Sequence, residues 1–328
     1  MRERFTCIDL GTSYCPCHLA ESGDCILCSQ LRGKCFCDCK DWNGVCVYSE
    51  FCNNKNKAKE GRKTYDCKVI EIKKYAEDIL SIKIQVTRQF AFDLSNPGSY
   101  VFVRKAQEGY FDTPISIVET NPEEEWIEFI VKIAGVKTKQ LEELNLNDIV
   151  KVRGPYFNGI FGRKEIYKLK GEQVLIIGRN VGLAPVVPVI KRLTRENNKI
   201  YLLKDLAGIN KDFLKEELDN YNPIIEENEI ISNGKLTDWI KERINYYVNK
   251  GVSHIHIGGA DIITYLVIEY LNDINRNDIS LSCCNNFKMA CGEGVCGACT
   301  IRYDGDKVRR YCKYQTDPRT VFKGRWLI

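Results

Sequence analysis

A chain of 328 residues is too long for one ordinary hydrophobic core and has room for two or three domains. Its hydrophobic fraction of 44% and charged fraction of 28% are ordinary for a globular protein, and no apolar run approaches the roughly 18 residues of a membrane span. A net charge of +4 without a basic block argues against nucleic acid. The opening MRERFTCIDLGTSYCPC lacks an apolar stretch of signal-peptide length, so a cytoplasmic protein is expected.

Cysteine is the abnormal residue. Of 17 cysteines, ten lie from Cys7 to Cys52, six from Cys283 to Cys312, and only Cys67 stands between. In a reducing compartment such clusters point to metal or redox chemistry before disulfides. They divide the chain into four parts. The first, 1–60, is a cysteine-rich metal-binding segment with Cys15, Cys17, Cys25, Cys28, Cys35, Cys37, Cys39, Cys46 and Cys52 as candidate ligands, Cys7 in front and His18 adjacent. Ten thiols saturate two four-ligand sites with two left over, and the segment has little aliphatic material for a core without metal. Iron–sulfur and zinc both accept such thiolates, and the spacing does not decide between them. A polar run, NNKNKAKEGRK, then reads as a linker.

The second part, 66–165, consists of short β-rich runs separated by glycine and Asn-Pro-Gly breaks, which predict an antiparallel barrel. Within it Thr113-Pro114-Ile115-Ser116 is an extended segment whose hydroxyls suit a flavin ring or ribityl chain. Gly135-Val136-Lys137-Thr138-Lys139 follows a strand and opens a helical run, so its N–H groups and lysines suit a diphosphate. A β-edge and a helix cap are the plainer alternatives.

From 170 to 277 the rhythm becomes apolar strand, glycine turn, helix, which predicts a parallel α/β sheet with its ligand crevice at the strand carboxyl ends. The turn Gly178-Arg179-Asn180-Val181-Gly182-Leu183-Ala184-Pro185 follows a strand and opens a helix, where a pyrophosphate could sit; Gly258-Gly259-Ala260-Asp261 could face the same crevice.

The tail, 280–328, carries C-x4-C-x2-C at Cys291, Cys296 and Cys299, with twelve residues between the third thiol and Cys312. This is plant-type [2Fe–2S] spacing, and Gly292, Gly294 and Gly297 let the loop backbone approach the inorganic sulfides. A zinc knuckle more often shows two C-x2-C pairs. Cys283 and Cys284 fall outside the pattern and read as structural thiols.

In this order, TPIS, GVKT, the GxxxGLAP turn and the cysteine tail resemble the ferredoxin–NADP⁺ reductase superfamily, closest to dihydroorotate dehydrogenase electron-transfer subunits and the small subunits of flavin-based transhydrogenases. The resemblance covers roughly residues 66–328. It implies FAD between barrel and α/β domain, with Thr113, Pro114, Ile115, Ser116, Gly135, Thr138 and Lys139 at the FAD, and Gly178, Gly182 and Pro185 at a nicotinamide nucleotide. It further implies electron transfer between NAD(P)H and a larger redox enzyme subunit or ferredoxin-like carrier, and it favours iron–sulfur over zinc at the N-terminal cysteines. The chain departs from the family at Thr113, where an arginine is usual, at Arg179-Asn180, and at Ile257-Gly258-Gly259, where Cys-Gly-Pro is usual. These departures leave a second expectation: an iron–sulfur relay or redox sensor docked on a larger enzyme, without its own nicotinamide site.

Overall fold

The computed structural model describes residues 6–37, 44–107, 110–209, 212–303 and 307–322. Residues 64–156 build a seven-stranded antiparallel sheet in the order Thr113–Ser116, Tyr100–Lys105, Ile149–Tyr156, Thr64–Ala76, Ile79–Gln85, Trp126–Lys132, Glu119–Asn121. The two outermost strands are consecutive in the chain, joined only by the buried Ile117 and Val118. The Ile117 N–H donates to the Ser99 carbonyl and the Val118 N–H to the Glu128 carbonyl. The sheet therefore bends round one core, in which Val69, Ile82, Ile84, Val101, Phe129 and Val152 meet. Helix Arg88–Leu94 plugs this core with Phe90, Ala91 and Leu94; Thr87 caps it by accepting the Phe90 N–H at 3.3 Å.

A second sheet of six strands runs Ile224–Glu227, Lys199–Asp205, Gln173–Arg179, His254–Gly258, Ser280–Cys284, Ile160–Phe161. The first five are parallel and the last is antiparallel, so the sheet is mixed where a purely parallel one was expected. Ile160–Phe161 is two apolar residues long, too short to show a period, and joins only because Cys283 and Cys284 offer it an edge. The central strand is apolar throughout because helices cover both faces: Leu175 and Ile177 enter one core, Val174 and Ile176 the other.

The tail does not stand apart. Phe287, Met289, Cys299, Tyr311 and Cys312 share a core with Leu175 and Ile257 of the mixed sheet and with Tyr100, Phe102 and Tyr156 of the antiparallel one. Its strand Tyr314–Gln315 pairs antiparallel with Thr6–Cys7 near the start of the chain. The polar run after Cys52 is not a free linker: the Ala58 N–H donates to Glu21 Oε1 at 2.8 Å, the Lys59 N–H to the Pro16 carbonyl at 2.9 Å, and Arg62 is only 7% exposed. Among the described residues no helix is long and apolar enough to cross a membrane.

Two buried histidines set an acid limit on the mixed sheet. His254 bonds Ser280 and Ser282 at 2.7 Å each, and His256 bonds Ser282 at 2.8 Å. Burial pushes both down to about 3, so the fold holds them neutral while an unfolded chain protonates them near pH 6.5. Their contribution is complete above pH 6.5 and is lost as pH falls towards 3, by up to ~1.4 kcal/mol per pH unit for each histidine. Urea midpoints should therefore drop between pH 7 and pH 5, and His256→Asn should roughly halve the histidine part of that slope.

Candidate functional site

The strand Thr113–Ser116 lies at the sheet edge, with Thr113 and Ile115 turned into the core and Pro114 and Ser116 half-exposed. The Thr113 hydroxyl donates to the Lys137 carbonyl at 2.9 Å, which joins this strand to the 135–139 loop. Gln140 reinforces the link by donating to the carbonyls of Phe111 and Lys137 at 2.6 and 2.8 Å. The Thr138 hydroxyl accepts the N–H groups of Ala134 and Gly135, so it is spent on capping helix Val136–Glu142. Gly135 faces open space and Lys139 is exposed, so backbone and ammonium groups remain for an anion there. The same loop thus serves as helix cap and candidate diphosphate site.

At the same end of this strand stands a residue the motifs did not single out. Arg153 donates to Asp112 at 2.9 and 3.3 Å, to the Cys291 carbonyl at 2.9 Å, and to the Tyr156 hydroxyl. Its guanidinium lies 4.5 Å over the Phe102 ring. Asp112 precedes Thr113, and Cys291 opens the cysteine loop. One planar cation thereby ties the candidate flavin strand to the candidate cluster loop.

In the mixed sheet the segment Asn180–Val186 winds as a 3₁₀ helix with Pro185 inside it, directly before helix Val187–Arg195. Gly178 has no room for a side chain, since an added Cβ would stand 2.3 Å from Leu183. An added Cβ on Gly182 would stand 2.4 Å from the Gly259 Cα, so the two glycine turns abut. Beside them a groove of about 540 Å³ opens at the carboxyl ends of neighbouring strands, lined by Arg179, Asp205, Gly208, Glu227 and Glu229. Arg179 Nε donates to Asp205 at 2.8 Å. Cys283 and Cys284 are buried, and the Cys284 thiol is held by the Gly259 N–H.

The tail thiols fall into two pairs. Cys291 hydrogen-bonds Cys296, and Cys299 hydrogen-bonds Cys312. Backbone N–H groups point at the sulfurs: Glu293 at Cys291 (3.3 Å), Ala298 at Cys296 (3.5 Å) and Cys312 at Cys299 (3.3 Å). The Cys312 thiol donates to Cys299 and so holds the Cys299 thiol below its usual range. Among the described residues no three His, Cys, Asp or Glu side chains are arranged to hold a single ion. A zinc draws four sulfurs to one point about 2.3 Å away, whereas a [2Fe–2S] core takes two thiolates on each of two irons. Two pairs with N–H donors fit the binuclear group.

Of the N-terminal candidates, Cys15, Cys17 and Cys25 line one cavity together with Cys7, which the ligand set omitted. Cys28 is buried in a small core with Ala20, Leu31, Val47 and Phe51. Cys35, Cys37, Cys46 and Cys52 are exposed, Cys46 accepting the Ser49 N–H as a helix cap, and Cys39 lies outside the described residues. This segment and the tail meet at four charges, of which Asp9, Arg62 and Lys313 are buried and Glu293 partly buried. Arg62 bonds Asp9 at 2.6 Å and Glu293 at 2.9 Å; Lys313 bonds Glu293 at 3.0 Å and also Asp9. Burial alone would raise both acids, but Lys313 and Arg62 hold Asp9 and Glu293 below the usual carboxylate range.

An antiparallel sheet bent round its own core, followed by a mixed α/β sheet, is the fold of ferredoxin–NADP⁺ reductase-like proteins. It superposes on the NADH-dependent reduced ferredoxin–NADP oxidoreductase, solved for insight into flavin-based electron bifurcation, with a TM-score of 0.61 at 21% identity over 78% of this chain and 88% of that one. In sequence the chain is similar to the electron-transfer subunit of dihydroorotate dehydrogenase B from Caldanaerobacter subterraneus subsp. tengcongensis, 26% identical over 246 residues, 72% of this chain and 90% of the relative. It is also similar to sulfhydrogenase 2 subunit gamma of Pyrococcus furiosus, 23% identical over 269 residues, 73% and 89% of the two chains. The resemblance drawn from the motifs therefore holds, although no family model matches.

Asp112, Arg153 and Tyr156 were missed because each gains its meaning from Cys291, more than a hundred residues away. The glycines were found, and the contacts explain them. Gly292, Gly294 and Gly297 all have positive φ, but only at Gly292 would a Cβ strike a ring, 2.4 Å from Tyr156; at Gly297 the nearest atom is 3.7 Å away. Gly297→Ala should cost about 1 kcal/mol of left-handed strain. Gly292→Ala should cost a further ~1–3 kcal/mol from overpacking against Tyr156. Urea unfolding of the two variants side by side reads the difference.

Proposed function

We propose that this chain is an electron-transfer oxidoreductase subunit that carries electrons between a nicotinamide nucleotide and a partner protein through FAD and a [2Fe–2S] cluster. The observation that carries the reading is Arg153, bonded at once to Asp112 beside the flavin strand and to Cys291 of the cluster loop. In this reading the antiparallel sheet is a barrel; Thr113, Pro114, Ile115, Ser116, Gly135 and Lys139 hold FAD, with Thr138 shaping the loop. Gly178, Gly182 and Pro185 bound the nucleotide site, and Cys291, Cys296, Cys299 and Cys312 hold the cluster. Bound FAD would supply the exchange between a hydride's electron pair and the single electrons a [2Fe–2S] centre accepts. The chain's own part is positional: Arg153 fixes the cluster loop against the flavin strand, and Tyr156 packs under Gly292 so that the loop cannot lift. The N-terminal segment binds metal in the same reading.

The nucleotide is NADH. The groove beside Gly178 carries Asp205, Glu227 and Glu229 against Arg179, which Asp205 already engages, so a 2′-phosphate would meet excess negative charge. The partner is a larger redox subunit or ferredoxin-like carrier, by analogy with relatives that are themselves subunits of larger enzymes. One feature favours the relay reading: Asn180–Val186 winds tightly against Gly258 and Gly259 instead of forming an open phosphate loop.

Anaerobic titration separates the two readings. NADH should bleach the flavin band and raise a reduced-cluster EPR signal in one preparation, with kcat/KM for NADH at least about tenfold above that for NADPH, or ~1.4 kcal/mol. Glu229→Lys should narrow that ratio by raising the NADPH value. If dithionite reduces the cluster while neither nucleotide touches the flavin, the chain is a relay; a wild type that prefers NADPH would overturn the groove assignment.

A further inference from the structure

We infer that Cys7, Cys15, Cys17 and Cys25 hold a second iron–sulfur cluster, seated directly against the tail's cysteine loop. The inference deepens the metal reading of the N-terminal segment and, for its electron route, rests on the [2Fe–2S] assignment of the tail. The first ground is the cavity itself. These four thiols and Asp9, whose carboxylate is taken by Arg62 and Lys313, line one space of about 20 Å³, larger than the ~10–15 Å³ a water needs, and its other walls are Leu10, Leu19, Ala20, Ile26, Leu27 and Val47. A water there would find few polar partners, whereas a thiolate-ligated cluster takes its bonds from sulfur and tolerates apolar walls.

The second ground is that no other use of the thiols fits. Every described cysteine is free, so disulfides do not account for them. The four sulfurs surround a space instead of converging on a point, and among the described residues no three ligands are arranged for a single ion. That argues against zinc, whose four ligands crowd one centre. Core packing does not account for them either: Cys15 and Cys25 border the segment's buried cluster of Ala20, Cys28, Leu31, Val47 and Phe51, but Cys7 and Cys17 do not, and that cluster is a small nucleus for a segment this long.

The third ground is position. Cys7 stands opposite Tyr314 in an antiparallel pair, and Cys312 lies two residues before Tyr314, in the turn that leads into that strand. The Ile8 N–H donates to the Lys313 carbonyl at 2.9 Å, and an added Cβ on Gly294 would stand 3.0 Å from Leu19. Ligands of both sites are thus neighbours across one two-stranded ladder. The step this permits is transfer of one electron from the reduced tail cluster to the oxidised N-terminal one, with no bond broken and no proton moved. All four thiols are half-buried, so the second site is not sealed from a partner.

The test uses the full chain purified anaerobically, with iron, acid-labile sulfide and zinc counted per chain in wild type, Cys17→Ser, Cys25→Ser, Cys35→Ser and Cys296→Ser. Wild type should carry more than the two irons of a plant-type cluster. Cys17→Ser and Cys25→Ser should fall to two with the [2Fe–2S] EPR signal retained, and the exposed Cys35→Ser should lose none. Two irons in wild type, with zinc that Cys17→Ser removes, would overturn the inference in favour of structural zinc; two irons and no zinc would overturn it outright. Iron lost in Cys17→Ser but not in Cys296→Ser would sustain it and remove the tail assignment instead. Should a variant not fold, the wild-type iron and zinc counts still decide.

Discussion

Four charges, three of them buried and the fourth partly so, meet at one point and hold the N-terminal segment, the antiparallel sheet and the tail together. Asp9, Arg62, Glu293 and Lys313 come from the N-terminal segment, the entry to the antiparallel sheet, the middle of the cysteine loop and the residue after its last thiol. Their charges sum to zero, and each acid meets both bases. Burying any one alone would be costly, and removing one partner from such a group costs about 3–5 kcal/mol because a charge is left stranded. Arg62 is fixed further by donating to the Pro155 carbonyl at 2.6 Å and by lying 4.0 Å over Tyr14 and 4.6 Å over Tyr156. Tyr156 in turn carries Gly292 on its ring and touches Arg153. The chain from Asp9 to Asp112 is therefore one continuous set of contacts, with the cysteine loop in its centre.

That continuity changes how the tail is understood. A cysteine loop followed by a hairpin resembles an appended module in sequence, yet Tyr311 stacks on Phe287 at 4.3 Å and meets Phe161 edge-on at 5.5 Å. Asn158 donates to the carbonyls of Tyr311 and Tyr314 at 2.7 and 2.9 Å. The cysteine loop, strands of the antiparallel sheet and the mixed sheet share one core, so loop geometry and sheet stability are coupled.

Local features of the fold were legible in the sequence, and long-range partnerships were not. The thiol spacing and interleaved glycines of the tail, the edge strand at Thr113 and the cap at Gly135 are each written within ten or so residues. The bond from Thr113 to Lys137 that unites two of these segments has no sequence signature. Arg62 stood in a polar run that reads as solvated linker, because a charge looks exposed until its partners, Asp9 and Glu293, are known to lie beside it. Cys7 was left out of the metal set for a related reason: its neighbours in sequence carry no thiol, and only the folded cavity sets it beside Cys15, Cys17 and Cys25. Ile160–Phe161 is too short for any period to reveal.

Two iron–sulfur sites on either side of the Thr6–Cys7 and Tyr314–Gln315 ladder, as proposed above, would be close enough to couple magnetically. The most direct measurement is the EPR line shape of the fully reduced full-length chain. Two paramagnetic centres at this separation should broaden or split each other's signals, and the interaction should vanish in Cys17→Ser, leaving a simple [2Fe–2S] spectrum. A narrow, unperturbed [2Fe–2S] signal in the wild type, identical to that of Cys17→Ser, would contradict this arrangement.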